Sequence, residues 1–235
     1  KDALIMTRNT ILYNFAFIVI GTALGIFVAI LLTEIVKSVW AKFYQSALLL
    51  PYLLSWVVIS YMVFAFLNSD SGFINNTVLK VLGMAPVSWY TKSNIWPFIL
   101  ILVFLWQTVG HTSIIYMASI KGIYEAAKID GAGKIKQIFY ITLPLLRPTI
   151  TIMVLMAIGK IFFSDFGLFY QVPMNSGALY GVTQTIDTFV YRGLMELNDV
   201  GMSSAAGLFQ SCVGFVLVIT ANALVRKMNP ENALF

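Results

Sequence analysis

Charge is scarce in this chain. Only 11% of its 235 residues are Asp, Glu, Lys or Arg, 59% are hydrophobic, and the mean hydropathy is +0.85. A water-soluble domain cannot cover itself from so small a polar fraction. There is one cysteine, Cys212, so no disulfide can close within the chain, and its apolar surroundings suggest a small buried side chain. There is one histidine, His111, in "VGHTS", without a Cys or His partner in view. That disfavours a zinc enzyme or a nucleophile–histidine enzyme and leaves packing or hydrogen bonding as its role. No GxxxxGK[ST] motif occurs, so the chain has no phosphate loop of its own for ATP. No acidic or histidine cluster marks a membrane-embedded, lipid-modifying enzyme. No catalytic constellation and no metal site is expected.

What the chain does have is apolar runs of bilayer length, which takes about 20 residues. They are continuous and do not alternate, which argues against a β-barrel. An all-α integral membrane protein follows, one transmembrane domain over residues 1–235. Five spans are expected: Thr10–Thr33, Tyr44–Leu67 with Pro51 inside, Asn94–Ala118 with Pro97 near its start, Pro144–Phe163 and Ser203–Val225. A run of about 24 residues gives roughly 36 Å, enough to cross with some tilt.

The net charge of +5 reports orientation rather than nucleic acid. One side carries Lys37, Lys42, Lys121, Lys128, Lys134, Lys136, Arg147, Arg226 and Lys227, and the other Lys1, Arg8, Lys80, Lys92 and Arg192. The basic excess places the Lys121–Arg147 region and the C-terminus in the cytoplasm. Five spans then leave Lys1 outside without a signal sequence, so a further span is expected upstream. On the outer side "NSDSGFINN" reads as a turn-rich loop. Val182, Ile186, Phe189, Val190 and Leu197 recur at helical spacing. That is a short amphipathic helix, which could dock a partner or lie on the membrane interface.

The charged interruption "YEAAKIDGAGKIKQIFYITLP", Tyr124 to Pro144, spans most of a loop taken as 119–143 and breaks the apolar pattern. Ile120, Ile123, Tyr124 and Ala127 form one helical face, with Lys121, Glu125 and Lys128 on another. "DGAG" ends the helix at Gly131, a residue free of the usual backbone limits. A second short helix with Ile135, Ile138 and Phe139 on one face follows, and Pro144 opens the next span. Two readings fit this elbow: a docking element whose small Ala126 and Ala127 admit a close partner, or a loop helix held on anionic lipid by its lysines.

The stretch resembles the signature loop of permease subunits of binding-protein-dependent ABC importers, E-A-A, three residues, G, nine residues, I-x-L-P. Glu125, Ala126, Ala127, Gly131, Ile141, Leu143 and Pro144 match it with full spacing, and Asp130 sits beside the glycine. "RNTILYNFAFIVIGTALGIFVAILLTE" is similar to an early core helix of maltose-type sugar permeases, and "VYRGLMELNDVGMSSAAGLFQSCVGFVLVITANALVRK" to their last. The polysaccharide, lipopolysaccharide-like or aldouronate branch is the nearest in look. The resemblance implies a type I ABC importer transmembrane fold with a six-helix core, five helices of which are visible here. It implies a non-catalytic permease in a bacterial cytoplasmic membrane, with an oligosaccharide as cargo. Its implied partners are a second homologous permease, a cytoplasmic ABC ATPase dimer that holds ATP and Mg, and an extracellular solute-binding protein. The elbow would be the coupling helix seated in the ATPase. Another small solute, such as an amino acid, phosphate or glycerol-linked compound, suits the same fold.

Polar groups inside spans require a reason, because burying them unpaired is costly. Trp106, Gln107, Lys160 and Ser164 supply the aromatic face and hydrogen-bonding groups that a sugar requires, and in the family the segments flanking the elbow line the sugar pathway. The alternatives for Lys160 are snorkelling to the interface or pairing with Asp165. Gln210 and Ser211 are further polar residues in the last span. Gly21 with Gly25, and Gly207 with Gly214, suit close helix packing.

Overall fold

The computed structural model describes residues 2–35, 39–127, 138–228 and 233. Seven helices of ten or more residues organise them. They are α1 (Asp2–Ile35), α2 (Val39–Leu53), α3 (Trp56–Leu67), α4 (Trp96–Ala127), α5 (Leu143–Gly159), α6 (Ile186–Met195) and α7 (Val200–Met228). No strand occurs among the described residues. Four segments are long and apolar enough to cross a membrane, Ala3–Thr33, Ser93–Ile120, Ile138–Gly159 and Val200–Lys227, and the bent pair Lys42–Leu53 and Trp56–Leu67 makes a fifth if counted as one.

The second span is therefore not the continuous helix expected over Tyr44–Leu67. It breaks at Leu54–Ser55, where Ser55 takes extended backbone angles and its side chain accepts from Val58 N–H to cap α3. Pro51, three residues earlier, has already removed one ladder donor from α2. The fourth span also ends earlier than expected, at Gly159 rather than Phe163.

The chain forms two compact units. One comprises Lys1–Phe15, Leu54–Phe104 and Ile161–Val213. Here the start of α1 is strapped to the segment before α6. Asn9 donates to the carbonyls of Gly181 (3.3 Å) and Gln184 (2.9 Å), Tyr13 Oη to Val182 O (2.9 Å), and Ile186 N–H to Thr10 Oγ1 (3.1 Å). Thr185 and Thr188 close a reciprocal cap on α6. The amphipathic helix expected from Val182 to Leu197 is thus present but shorter, and Ile186 faces inward, 1% exposed, rather than toward a membrane surface. Arg192, expected as a loop cation, is also buried: its Nε donates to Asn175 Oδ1 at 3.0 Å and its Cζ lies 3.9 Å from the Tyr180 ring centre.

The 68–95 segment is more ordered than a turn-rich loop. Asn68 Oδ1 accepts from Asp70 and Ser71 N–H, a turn as expected, but a π-helical turn Ile74–Leu79 follows. Buried Asn75 organises it, donating to Ser69 O and Val87 O and accepting from Val87 N–H and Trp89 Nε1. Trp96 fills the space behind, its Nε1 donating to Trp89 O at 2.8 Å.

The other unit comprises Ala16–Leu53, Leu105–Lys160 and Gly214–Phe235. Ala29, Leu32, Tyr116, Met117, Ile120 and Leu146 form its core. Gly25 admits α4 closely, since a Cβ there would stand 2.9 Å from Thr112 Cγ2. Gly110 is tighter still, its missing Cβ falling onto the backbone carbonyl oxygen of Leu48. By contrast an added Cβ at Gly207 meets nothing within 4 Å, so the close packing expected of the Gly207 and Gly214 pair is absent at Gly207 among the described residues. His111 stacks on Tyr52 with ring centres 4.3 Å apart, a packing role. Cys212, expected buried, is exposed on α7. An apolar side chain on a membrane helix needs no protein cover, because lipid is as apolar as the core.

Candidate functional site

Residues flanking the elbow divide by helical geometry. Trp106 and Gln107 are successive on α4, so they point about 100° apart. Trp106 is 42% exposed, whereas Gln107 is 8% exposed. No hydrogen bond among the described residues uses the Gln107 amide. Such an amide in an apolar helix keeps hydrogen-bonding capacity for a further partner.

Lys160 follows α5 and is exposed, its backbone N–H closing the helix end onto Ala157 O at 3.1 Å. Among the described residues it is not paired with Asp165. That carboxylate turns into its own unit, where Oδ1 accepts from Leu168 N–H at 3.2 Å and the Trp56 side chain also bonds it. Burial, with the nearby Asp187 charge adding to it, raises the Asp165 carboxyl above the ordinary aspartate range. Ser164 is anchored: its N–H donates to Asp187 Oδ2 at 2.6 Å, and its hydroxyl lies 2.7 Å from both Asp187 Oδ2 and Thr185 Oγ1. A hydroxyl so engaged retains acceptor capacity for one more donor.

Three residues matter that pattern reading left without a role. Past α5 the carbonyls of Ile161, Phe162 and Phe163 leave the helical ladder. Asn14 donates to Ile161 O (2.9 Å) and Phe163 O (3.1 Å), and Gln210 to Phe162 O (2.7 Å). Asp187 then takes the next residue, Ser164. A polar side chain inside an apolar run is the signal that could have found Asn14, as it flagged Gln210.

The elbow is partly in view. α4 runs helically through Glu125, Ala126 and Ala127, 32 residues from Trp96. Asp130 and Gly131 lie outside the described residues, as does Ile135. Ile141 belongs to a π-helical turn, Ile138–Thr142, which passes directly into α5, and the second short helix expected from Ile135 lies largely outside the described residues. Leu143 and Pro144 form the first turn of α5, where the missing proline N–H costs nothing.

Residues 21–230 match the family described as binding-protein-dependent transport system inner membrane component. The chain belongs to that family. This permease is 29% identical over 231 residues to the polygalacturonan/rhamnogalacturonan transport system permease protein YteP of Bacillus subtilis, covering 97% of this chain and 71% of the relative. It is 30% identical over 223 residues to the arabinooligosaccharides transport system permease protein AraP of Halalkalibacterium halodurans, covering 91% and 68%. The structure of a bacterial alginate ABC transporter, in complex with an alginate pentasaccharide-bound periplasmic protein, contains a chain that superposes with a TM-score of 0.89. That chain is 28% identical, with 97% of this chain and 80% of that one covered. The permease is accordingly a multi-pass membrane protein with the ABC importer transmembrane fold, a transport subunit and not an enzyme.

Proposed function

We infer that this permease imports an oligosaccharide handed over by an extracellular solute-binding protein, driven by ATP hydrolysis on a separate cytoplasmic ATPase dimer. The observation that carries this reading is the likeness, over 97% of the chain, to the permease of a transporter complexed with a pentasaccharide-loaded binding protein. Relatives named for the transport of polygalacturonan/rhamnogalacturonan and of arabinooligosaccharides support the same class of cargo. A second, homologous permease completes the pathway. ATP and Mg reside on the ATPase, and no residue of this chain is assigned to them.

In this reading the Lys121–Arg147 cluster and the C-terminus face the cytoplasm, in keeping with the basic bias of that side. Glu125, Ala126, Ala127, Asp130, Gly131, Ile141, Leu143 and Pro144 form the coupling element. Helical backbone continuing through Ala127 supports it, because a stiff lever transmits displacement where a slack loop would absorb it. Trp106, Gln107, Lys160 and Ser164 contact the sugar on its way through.

The test is reconstitution of the full complex with its binding protein in liposomes. Loaded binding protein should stimulate ATP hydrolysis and drive labelled oligosaccharide inward. Glu125→Lys and Gly131→Val should abolish that stimulation while the two permeases still assemble. Normal uptake by both variants, with the ATPase attached, would refute the coupling assignment, and stimulation by a non-carbohydrate solute alone would refute the cargo.

A further inference from the structure

We propose that the recess lined by Arg8, Asn9, Leu12, Tyr13, Pro97, Ile101 and Val182 is a binding site for an anionic phospholipid, with the lipid phosphate on Arg8 and an acyl chain along the apolar wall.

The recess encloses about 300 Å³ within one unit of the chain. Leu12, Pro97, Ile101 and Val182 make its wall apolar, and Tyr13 turns its hydroxyl away to Val182 O. One cation stands at the rim. Arg8 is exposed, yet it is not free to wander. Its Nε and one terminal nitrogen donate to Asn9 Oδ1 at 3.3 and 3.0 Å, and the same terminal nitrogen donates to Gly181 O at 3.1 Å. Asn9 is itself 4% exposed and fixed by Gly181 O and Gln184 O. An exposed arginine ordinarily keeps its rotamer freedom, so ordering it this firmly has an entropic cost. Among the described residues the other terminal nitrogen enters no hydrogen bond, and it remains for an outside acceptor.

Depth decides which acceptor. α1 has 34 residues, about 51 Å, well beyond a hydrocarbon core of about 30 Å. Arg8, in its second turn, thus stands at headgroup level, with Leu12 one turn deeper and Ile101 the same way down α4. Exposed Phe98 and Leu102 flank the recess on α4, a surface suited to acyl chains. A cation above an apolar slot matches a molecule that is anionic above and aliphatic below. A free phosphate would use the first feature and leave the second without a purpose, and an oligosaccharide would gain little from a wall with so few polar groups.

The experiment uses the intact complex extracted in mild detergent from membranes containing phosphatidylglycerol and phosphatidylcholine, with bound lipid read by native mass spectrometry. Phosphatidylglycerol should be retained in preference to phosphatidylcholine. Arg8→Gln should lower that retention roughly fivefold, the share of one surface cation. Val182→Trp, which fills the slot but keeps the charge, should lower it as well. Lys92→Gln removes an exposed cation outside the recess and should change nothing. Equal retention of both lipids, undiminished retention in Arg8→Gln, or an equal fall in Lys92→Gln would overturn the proposal. So would displacement of the bound species by inorganic phosphate, or a structure of the complex with a helix of the second permease seated in the recess.

Discussion

The buried side-chain amide of Gln210 donates to the carbonyl of Phe162 at 2.7 Å, from α7 to the stretch just past α5. Asn14 of α1 takes the carbonyls on either side. A helix that stops within reach of lipid leaves carbonyls that nothing in hydrocarbon can satisfy, so neighbouring helices must supply the donors. Gln210→Leu should therefore cost about 1 kcal/mol, with about 1.7 as the upper range for such bonds in membranes. The check is thermal unfolding of the purified complex against Ser211→Ala, whose hydroxyl, among the described residues, bonds only Gly207 O within its own helix. Equal midpoints for the two variants would show that the clamp contributes nothing.

Gly110 provides a sharper steric test. A Cβ there would run into the Leu48 backbone carbonyl, and backbone cannot swing aside as a flexible side chain can. Gly110→Ala should push α2 and α4 apart and lower the yield of folded permease severely, a cost of about 1–3 kcal/mol or more from overpacking. Gly181→Ala, with nothing within 4 Å of the new atom, should express like the wild type. Size-exclusion profiles of the two variants side by side would decide the matter. A monodisperse Gly110→Ala would contradict the packing described here.

Much of the architecture was legible from apolar runs alone, because a span needs only length and hydropathy, and α1, α4 and α7 have both. The break at Leu54–Ser55 was not, since Pro51 and Ser55 are each tolerated inside a helix and only tertiary packing decides whether they end it. The early end of α5 was hidden for the same reason: Ile161, Phe162 and Phe163 are apolar, and what stops the helix is donated by Asn14 and Gln210, distant in sequence. Arg192 shows the converse error. A charge in a loop reads as exposed until Asn175 and Tyr180 are seen to enclose it. The spacing from Glu125 to Pro144 pointed to the family that the chain belongs to, because that signature lies in spacing. The proposed sugar contacts could be named only as residue types, because which face of a membrane helix meets cargo is set by neighbours.

Asp165 gives the molecule a predictable pH response. Burial raises its folded-state pKa above the ordinary 3.8, so the folded protein holds that proton more tightly than the unfolded chain does. The associated stability is complete below 3.8 and is lost as pH rises through the raised value. Asp165→Asn keeps an oxygen to accept from Leu168 N–H and carries no charge to desolvate. The variant should match the wild type in acid and gain on it as pH climbs, levelling once the aspartate is ionised. Melting temperatures across a pH series would show this as a widening gap. A constant gap, or one that narrows with rising pH, would mean that Asp165 is not the titrating group.

The pathway assignment rests on Gln107 and Lys160, and each can be changed without altering shape. Gln107 is 8% exposed and its amide bonds no described residue, so Gln107→Leu orphans no internal partner and should leave assembly intact. If a sugar hydroxyl uses that amide, its loss should weaken transport roughly tenfold, the scale of one or two hydrogen bonds left unmade. Lys160→Met keeps the aliphatic stem and removes the charge. Should Lys160 only snorkel to the headgroups, that change would leave uptake untouched. Should it contact cargo, uptake should fall while ATP hydrolysis without binding protein stays at the wild-type rate. Initial uptake rates over a range of loaded binding protein, in liposomes with matched complex content, separate these cases. Wild-type kinetics in both variants would remove Gln107 and Lys160 from the pathway and leave Trp106 and Ser164 to carry the assignment.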